Sequence, residues 1–246
     1  MTIASEITKL NTNLEAAYTA VDNKGGTLPA SQNFDNLATA IGTISGGGGG
    51  SDTTDVPLTR ISDDNGDEIG TWYMNFKDAN SNVFKVIVLD AQYRNASTQW
   101  CSVRDTITNL PIYNSSYILW WYDNAKETAT QNTQLILNYC SANGYTSSAC
   151  THCRSKSFTI NGTTYYGQLP NIRELFDMWR HRVQIEQMDT SASSYSSTNF
   201  SSVREAWSSN QYASYAGWYM STAGSIGSGS KTLNVLACPI LEIPLS

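Results

Sequence analysis

The sequence predicts an α+β protein with a short helical head, a glycine linker and a larger domain of mixed antiparallel sheet with two helices. Three observations lead to this prediction. Apolar residues recur at intervals of four and three over the first 21 positions, which is a helical period. Five consecutive glycines, residues 46–50, then interrupt the chain. Beyond them, aromatic and β-branched runs alternate with helix-start signals, a pattern typical of strands and helices in one domain.

The first helix carries a narrow apolar stripe over about three heptads. Its positions are Ile3, Ile7, Leu10, Leu14 and Val21, with Ala17 between the last two. Such a narrow stripe is typical of a coiled coil, because a helix packed on its own domain usually has a wider apolar face. We therefore expect these residues to mediate oligomerisation, as a homotrimer. Packing of the helix against its own domain is the alternative.

A second short helix and a flexible joint follow. Pro29 begins this helix, and its apolar positions are Phe34, Leu37, Ala38 and Ile41. We expect it to fold back on the first helix or on neighbouring chains. Residues 46–51 have almost no side chain to bury and much backbone entropy to lose, so they predict a linker, natural or engineered. The expected organisation is a head at 1–45, a linker at 46–51 and a domain at 52–246.

The large domain shows strand and helix signals in turn. Residues 71–76 and 83–89 flank a turn-prone segment and predict an antiparallel pair. Further strands are expected at 117–122, 232–237 and 240–245, and one helix is expected within 124–139. The sharpest signal is Asn171 followed three residues later by Glu174, a capping box that predicts a helix with an apolar face extending to Val183.

Composition limits the possible partners. Charged residues make up 15% of the chain, the formal net charge is −6, and no Lys/Arg run occurs. These features argue against nucleic acid and anionic membranes as ligands. The start has no apolar block of signal-peptide length and no later apolar run reaches membrane-spanning length, so we expect synthesis in the cytoplasm and no membrane insertion.

Catalytic motifs are sparse. The sequence shows no nucleophile elbow, phosphate loop, dinucleotide-binding motif or zincin motif, and it contains two histidines. We therefore predict a non-enzymatic protein without a cofactor. Cys150 and Cys153, with Cys140 ten residues upstream, are weak candidates for a zinc site that lacks its usual second half. Reduced thiols are the expected state in a cytosolic chain. The acidic segment 63–68 lacks the full calcium-loop pattern and predicts a polar turn.

Residues 191–230 have the composition of a recognition surface. They are rich in Tyr, Trp, Ser, Asn and Gly, and Arg204 and Glu205 are the only charged residues among them. Aromatic side chains give contact area at low entropy cost and stack on sugar rings, while small polar residues give adaptable hydrogen bonds. The predicted ligand-binding residues are Tyr195, Asn210, Tyr212, Tyr215 and Tyr219. We expect Trp207 and Trp218 to fill the core.

Several motifs from residue 70 onward resemble a known family. They are Gly70-Thr71-Trp72-Tyr73, residues 89–94, the Leu169-Pro170 helix start through Leu175, Trp207-Ser208-Ser209-Asn210, Gly217-Trp218 and a final apolar strand. The order resembles C-type-lectin-like domains of the sulfatase-modifying, formylglycine-generating type found at the tips of bacterial adhesins and phage fibres. Residues 1–45 are similar to the helical heads of tailed-phage fibre and tail proteins. The resemblance implies a mostly structural role for the 169–175 helix start and ligand binding by loops in the C-terminal part.

Together these resemblances imply a fibre or tail protein on the virion surface of a tailed bacteriophage. The head implies contacts with other copies of the chain and with other virion proteins. The C-terminal domain implies binding to a host-surface glycan or protein. Two alternatives stay open: a capsid decoration or head fibre without a specific receptor, and a metal-dependent enzyme of the formylglycine-generating type that uses Cys150, Cys153 and Cys238.

Overall fold

The computed structural model describes residues 3–23, 28–34, 36–37, 40, 53–113, 125–200, 205–221 and 225–245. The chain divides into two compact units, Met1–Ser51 and Asp52–Ser246. The predicted linker at 46–51 and the predicted strand at 117–122 lie outside the described residues. In the described part of the chain, no helix is both long enough and apolar enough to cross a membrane.

Helices and strands occur together, so the α+β prediction is confirmed. The described helices are α1 (Ile3–Asn23), α2 (Ala129–Asn143), α3 (Ser148–Arg154), α4 (Ile172–Arg180) and α5 (Arg182–Met188). The described strands are β1 (Thr53–Ser62), β2 (Glu68–Lys77), β3 (Val83–Leu89), β4 (Asn95–Gln99), β5 (Ser157–Ile160), β6 (Thr163–Tyr166), β7 (Glu205–Ala213), β8 (Ala216–Ser221), β9 (Ile226–Ser230), β10 (Asn234–Ala237) and β11 (Ile240–Pro244).

The first unit contains α1, and the apolar stripe of this helix is divided between two environments. Tyr18 and Val21 are buried with Ala40, and Leu14, Leu28 and Leu37 pack against them. Leu10 remains 53% exposed. Val21 is therefore covered by its own chain, which corrects its prediction as an intermolecular contact. The side chains of Ile3 and Ile7 lie outside the described part of the structure.

Two sheets organise the second unit. The first has the antiparallel order β1-β2-β3-β11, and it contains the β2–β3 pair that the sequence predicts. The second has the order β4-β10-β7-β8-β9, in which β10 and β7 are parallel and the other pairs are antiparallel. Strands β5 and β6 form a separate hairpin. The segment 63–68 is a turn closed by hydrogen bonds to Asp63, with Gly66 at a φ of +86°.

The helices of the second unit begin at strong caps. Asn171 Oδ1 accepts hydrogen bonds from the amides of Arg173 and Glu174, and Glu174 Oε2 accepts one from the Asn171 amide, so the predicted capping box is confirmed. Thr128 and Gln131 form a second capping box at α2. The prediction of two helices was wrong, because the described part of this unit contains four. The unexpected α3 is a seven-residue helix whose buried residues are Ala and Cys, too short for a periodic pattern.

Helix α4 lies against strands from both sheets and positions the main core. It contacts β2, β7 and β8. Trp179 of α4 packs edge to face with Phe200, with 5.1 Å between ring centroids. Trp207 and Trp218 are buried, as the sequence predicts, and a second cluster around Trp100 and Trp207 lies beneath α2 and α3.

Candidate functional site

The tyrosines predicted to bind a ligand are placed in different environments. Tyr195 is 44% exposed beside the 3₁₀ turn Ser196–Thr198, and Tyr215 is 54% exposed in the turn between β7 and β8. Tyr212 is half-buried, with its ring edge to face on Trp218 at a centroid distance of 5.0 Å. Among the described members of this predicted set, Tyr195 and Tyr215 are the two exposed tyrosines.

Tyr219 serves largely as a packing residue. Its ring lies edge to face with Trp207, with 6.0 Å between centroids. Across the sheet, a Cβ atom on Gly227 would come within 2.6 Å of Tyr219 Cζ, so glycine is required for this close approach. Burial raises the pKa of Tyr219, and Glu205 adds to the shift. The ring therefore helps to hold β8 against β9.

The structure corrects the prediction for Asn210. This side chain is fully buried, and its Oδ1 accepts a hydrogen bond from the Ile172 amide at 2.6 Å. The contact satisfies one of the amides that the first turn of a helix leaves open. Asn210 therefore positions α4 and is not available to a ligand at the surface.

The three cysteines considered for zinc lie in one apolar cluster. Cys140, Cys150 and Cys153 are buried together with Trp100 and Ile136. In the described part of the chain, no group of three His, Cys, Asp or Glu side chains is arranged to hold a metal ion. The nearby His152 ring places Nε2 2.7 Å from the Tyr93 carbonyl oxygen, and burial lowers its pKa. The weak zinc candidates are corrected to core residues.

A groove in the second unit was not predicted. It has a volume of about 520 Å³, and it lies between the β5–β6 hairpin, the β2–β3 turn, the start of α2 and the end of β11. Its lining includes Asn80, Phe84, Arg154, Tyr166, Gln168 and Glu242.

One side of the groove is aromatic and cationic. Tyr166, at the end of β6, is 49% exposed. The guanidinium carbon of Arg154 lies 5.0 Å from the centroid of the Tyr166 ring. Phe84 and Tyr165 add apolar surface to the same groove. This side can pack against a flat apolar face and donate hydrogen bonds next to it.

Gln168 supplies an unpaired acceptor. Its backbone is fixed by two hydrogen bonds with Ile240, at 2.8 Å and 3.0 Å, and its Nε2 donates to the Tyr166 carbonyl oxygen at 2.9 Å. The residue is 3% exposed, and its Oε1 has no hydrogen-bond partner among the described residues. Buried side-chain acceptors are nearly always satisfied, by protein, water or ligand. Gln168 therefore carries, at the wall of the groove, a buried acceptor that no described protein group satisfies.

The two carboxylates of the groove have structural partners. Glu242 Oε1 accepts a hydrogen bond from the Ala129 amide at 2.8 Å, and Oε2 accepts from the amide and hydroxyl of Thr130 at 2.8 Å and 2.6 Å. Asp78 accepts from the amides of Asn80 and Asn82, and from the Asn82 side chain. Both carboxylates thus fix backbone rather than presenting a bare acid or base to the groove.

No family model, curated protein or solved structure matches the chain. A weak sequence signal for the groove exists at Tyr165-Tyr166, because two adjacent aromatic residues in a strand point to opposite faces. The acceptor of Gln168 has no comparable local signal, since its surroundings are built by β6, β11 and α2.

Proposed function

We propose that this chain is a non-enzymatic fibre or tail protein of a tailed-bacteriophage virion and that its second unit binds a host-surface saccharide in the groove. The motifs and the helical head described in the sequence analysis support the virion assignment. The observation that carries the binding proposal is the buried, unpaired Oε1 of Gln168 in a groove that also exposes Tyr166.

A saccharide fits this combination of groups. Its hydroxyls can donate to Gln168 Oε1 once this buried side chain turns into the groove, and the C–H face of a sugar ring can pack on Tyr166. Arg154 can donate to ring or hydroxyl oxygens beside that face. The volume of about 520 Å³ lies within the usual range for small-ligand sites, roughly 300 to 1,000 Å³. This groove therefore suits one or two sugar units.

Oligomerisation through the head would strengthen weak single-site binding. An open groove of this kind gives modest affinity, because its hydrogen bonds replace those with water. Several second units attached to one homotrimeric head would raise avidity through effective concentration, without new contacts. The same head would attach the fibre to other virion proteins.

A matched pair of tyrosine variants tests the proposal. Tyr166→Ala removes an aromatic ring from the groove, whereas Tyr215→Ala removes an equally exposed ring outside it. We expect Tyr166→Ala to weaken binding of the full chain to host cell-wall oligosaccharides about tenfold, equivalent to about 1.4 kcal/mol. Tyr215→Ala should bind like the wild type. Titration calorimetry gives the affinity, and thermal unfolding verifies that both variants are folded.

Other outcomes would overturn the assignment of the groove. Loss of binding in Tyr215→Ala alone would place recognition in the 191–230 segment. Equal binding by both variants and the wild type would exclude both aromatic contacts. A wild-type chain that binds neither oligosaccharides nor whole host cells would favour a capsid decoration without a receptor.

A further inference from the structure

Two cysteines from distant parts of the chain bring their sulfur atoms together. Cys101 follows β4, and Cys140 lies in the last turns of α2. Their Sγ atoms are 3.5 Å apart although the residues are separated by 39 positions. Both side chains are buried, with exposures of 1% and 3%. This pair has no part in the groove.

The backbone around the pair is held in place on both sides. The Cys101 amide donates to the Lys231 carbonyl oxygen at 3.1 Å, and the Cys140 carbonyl oxygen accepts from Tyr145 at 2.8 Å. A disulfide requires the two sulfurs to come about 1.5 Å closer, to about 2.05 Å. Because the sulfurs already face each other, small side-chain rotations can supply most of this approach.

A buried lysine makes the pair electrostatically unusual. Lys231 is fully buried, and its Nζ donates to the Asp105 carbonyl oxygen and to Gln211 Oε1, each at 2.6 Å. These are neutral acceptors, so its charge is not balanced by a carboxylate at those contacts. Burial lowers the pKa of Lys231 to about 8. The thiol pair and Asp105 are the groups whose negative charge favours the protonated form of Lys231.

The two thiols are accordingly unequal. The hydrogen bond between the two thiols lowers the pKa of Cys101, and the charge of Lys231 contributes in the same direction. The pKa of Cys140 is raised, first by the same hydrogen bond and then by burial. A thiolate is the nucleophile in thiol–disulfide exchange, so Cys101 is the sulfur suited to attack and Cys140 the one suited to resolve.

We propose that Cys101 and Cys140 form a redox modification site that closes into an intramolecular disulfide by exchange with a low-molecular-weight disulfide such as oxidised glutathione. The Cys101 thiolate attacks one glutathione sulfur, forms a mixed disulfide and expels one glutathione thiolate. Cys140 then releases its proton to water, attacks the Cys101 sulfur and expels the second glutathione. Two protein thiols lose two electrons, and one glutathione disulfide becomes two thiols.

Local opening gives the reagent access to the buried pair. The segment after Cys101 carries exposed residues at Ser102 and 104–106, and exposed residues 141–144 follow Cys140. Opening of such surface segments costs less free energy than global unfolding. The other cysteines differ in acidity, because burial is the largest influence on Cys150, Cys153 and Cys238 and raises the pKa of each thiol.

The test uses the full chain under native conditions. The reduced protein is incubated with oxidised glutathione, its remaining thiols are alkylated after denaturation, and a non-reducing digest is mapped by mass spectrometry. We expect one peptide pair joined through Cys101 and Cys140, with the other three cysteines alkylated. The oxidised protein should unfold at a temperature higher by on the order of 10 °C, because the bridge closes a long loop.

Matched variants distinguish oxidation of the Cys101–Cys140 pair from general oxidation of the thiols. Cys101→Ala and Cys140→Ala should each abolish the linked peptide and the thermal shift, whereas Cys150→Ala should keep both. The wild-type map decides the matter even if a variant fails to fold. Five alkylated cysteines after oxidation, or a bridge joining any other pair, would overturn the proposal.

Discussion

Glu174 is a buried carboxyl group whose charge is poorly compensated. Its Oε2 accepts the Asn171 amide at 2.8 Å, and its Oε1 has no hydrogen-bond partner within the described residues. Burial raises its pKa well above the ordinary value of 4.5, and the nearby Glu242 adds to the shift. The folded state therefore binds this proton more tightly than the unfolded state does.

Replacing this carboxyl by an amide should change how stability depends on pH. Because the pKa of Glu174 is higher in the folded state, the neutral carboxyl group fully favours folding below about pH 4.5. The free energy of unfolding of the wild type then falls as the pH rises through the folded-state pKa. Glu174→Gln keeps an oxygen acceptor for the Asn171 amide and cannot ionise. In urea titrations, we expect the free energy of unfolding of Glu174→Gln to increase relative to that of the wild type as the pH rises from 5 to 8. The control is Asp67→Asn in the exposed β1–β2 turn; parallel curves for Glu174→Gln and wild type would contradict the expectation.

Residue roles were predictable from the sequence where they depend on near neighbours. The capping role of Asn171 follows from a partner three positions away. The role of Asn210 does not, because its partner Ile172 lies 38 positions earlier. Composition suggested a ligand contact for Asn210, whereas the fold uses it to hold a helix start. Gln168 was missed for the same reason, since three separate elements create its environment.

Helix starts organise this domain at the level of elements. The first amides of α4 bind Asn171 and Asn210, and those of α2 bind Thr128 and Glu242. Each start thus has one partner nearby in sequence and one from a distant strand. Such caps stabilise the helix and also fix its position relative to the sheets.

Removal of the α4 cap should lower the free energy of unfolding. Asn171→Ala leaves the Arg173 and Glu174 amides without their acceptor and the Glu127 carbonyl oxygen without its donor. Because this site is buried, we expect a loss of about 2 to 3 kcal/mol in the free energy of unfolding. Asn138→Ala on the exposed side of α2 is the matched control and should change stability by less than about 0.5 kcal/mol. Equal losses for the two variants would show that the cap is unimportant.

Elements with a strong local period were predicted, and the others were not. The β2–β3 pair and α4 have clear apolar patterns, so they could be predicted from the local sequence. Strand β9 reads Ile-Gly-Ser-Gly-Ser and has no such pattern. It is a strand because β8 pairs with it and because its glycines accommodate the Tyr219 ring. Tertiary contacts thus decide what local propensity leaves open.

We expect the oligomeric state of the chain to depend on the exposed part of the α1 stripe. Leu10 is 53% exposed, whereas Val21 further along the same stripe is buried by its own chain. We expect the full chain to be a homotrimer by multi-angle light scattering and Leu10→Glu to dissociate it, because a charge would enter the apolar seam. Leu233→Glu, at a residue 48% exposed in the second unit, is the control and should stay trimeric. A monomeric wild type would refute the assembly and the avidity argument with it.

Strand β11 determines when the second unit can finish folding during synthesis. It pairs with β3, exchanges two hydrogen bonds with Gln168, and supplies Glu242 to the start of α2. Residues 240–244 emerge from the ribosome after all of these partners. The nascent domain therefore stays unfinished, with one sheet edge and one helix end open, until translation has passed this strand. A product that stops short of residue 240 would keep the N-terminal helix yet lack a completed second unit, and would be a substrate for proteolysis.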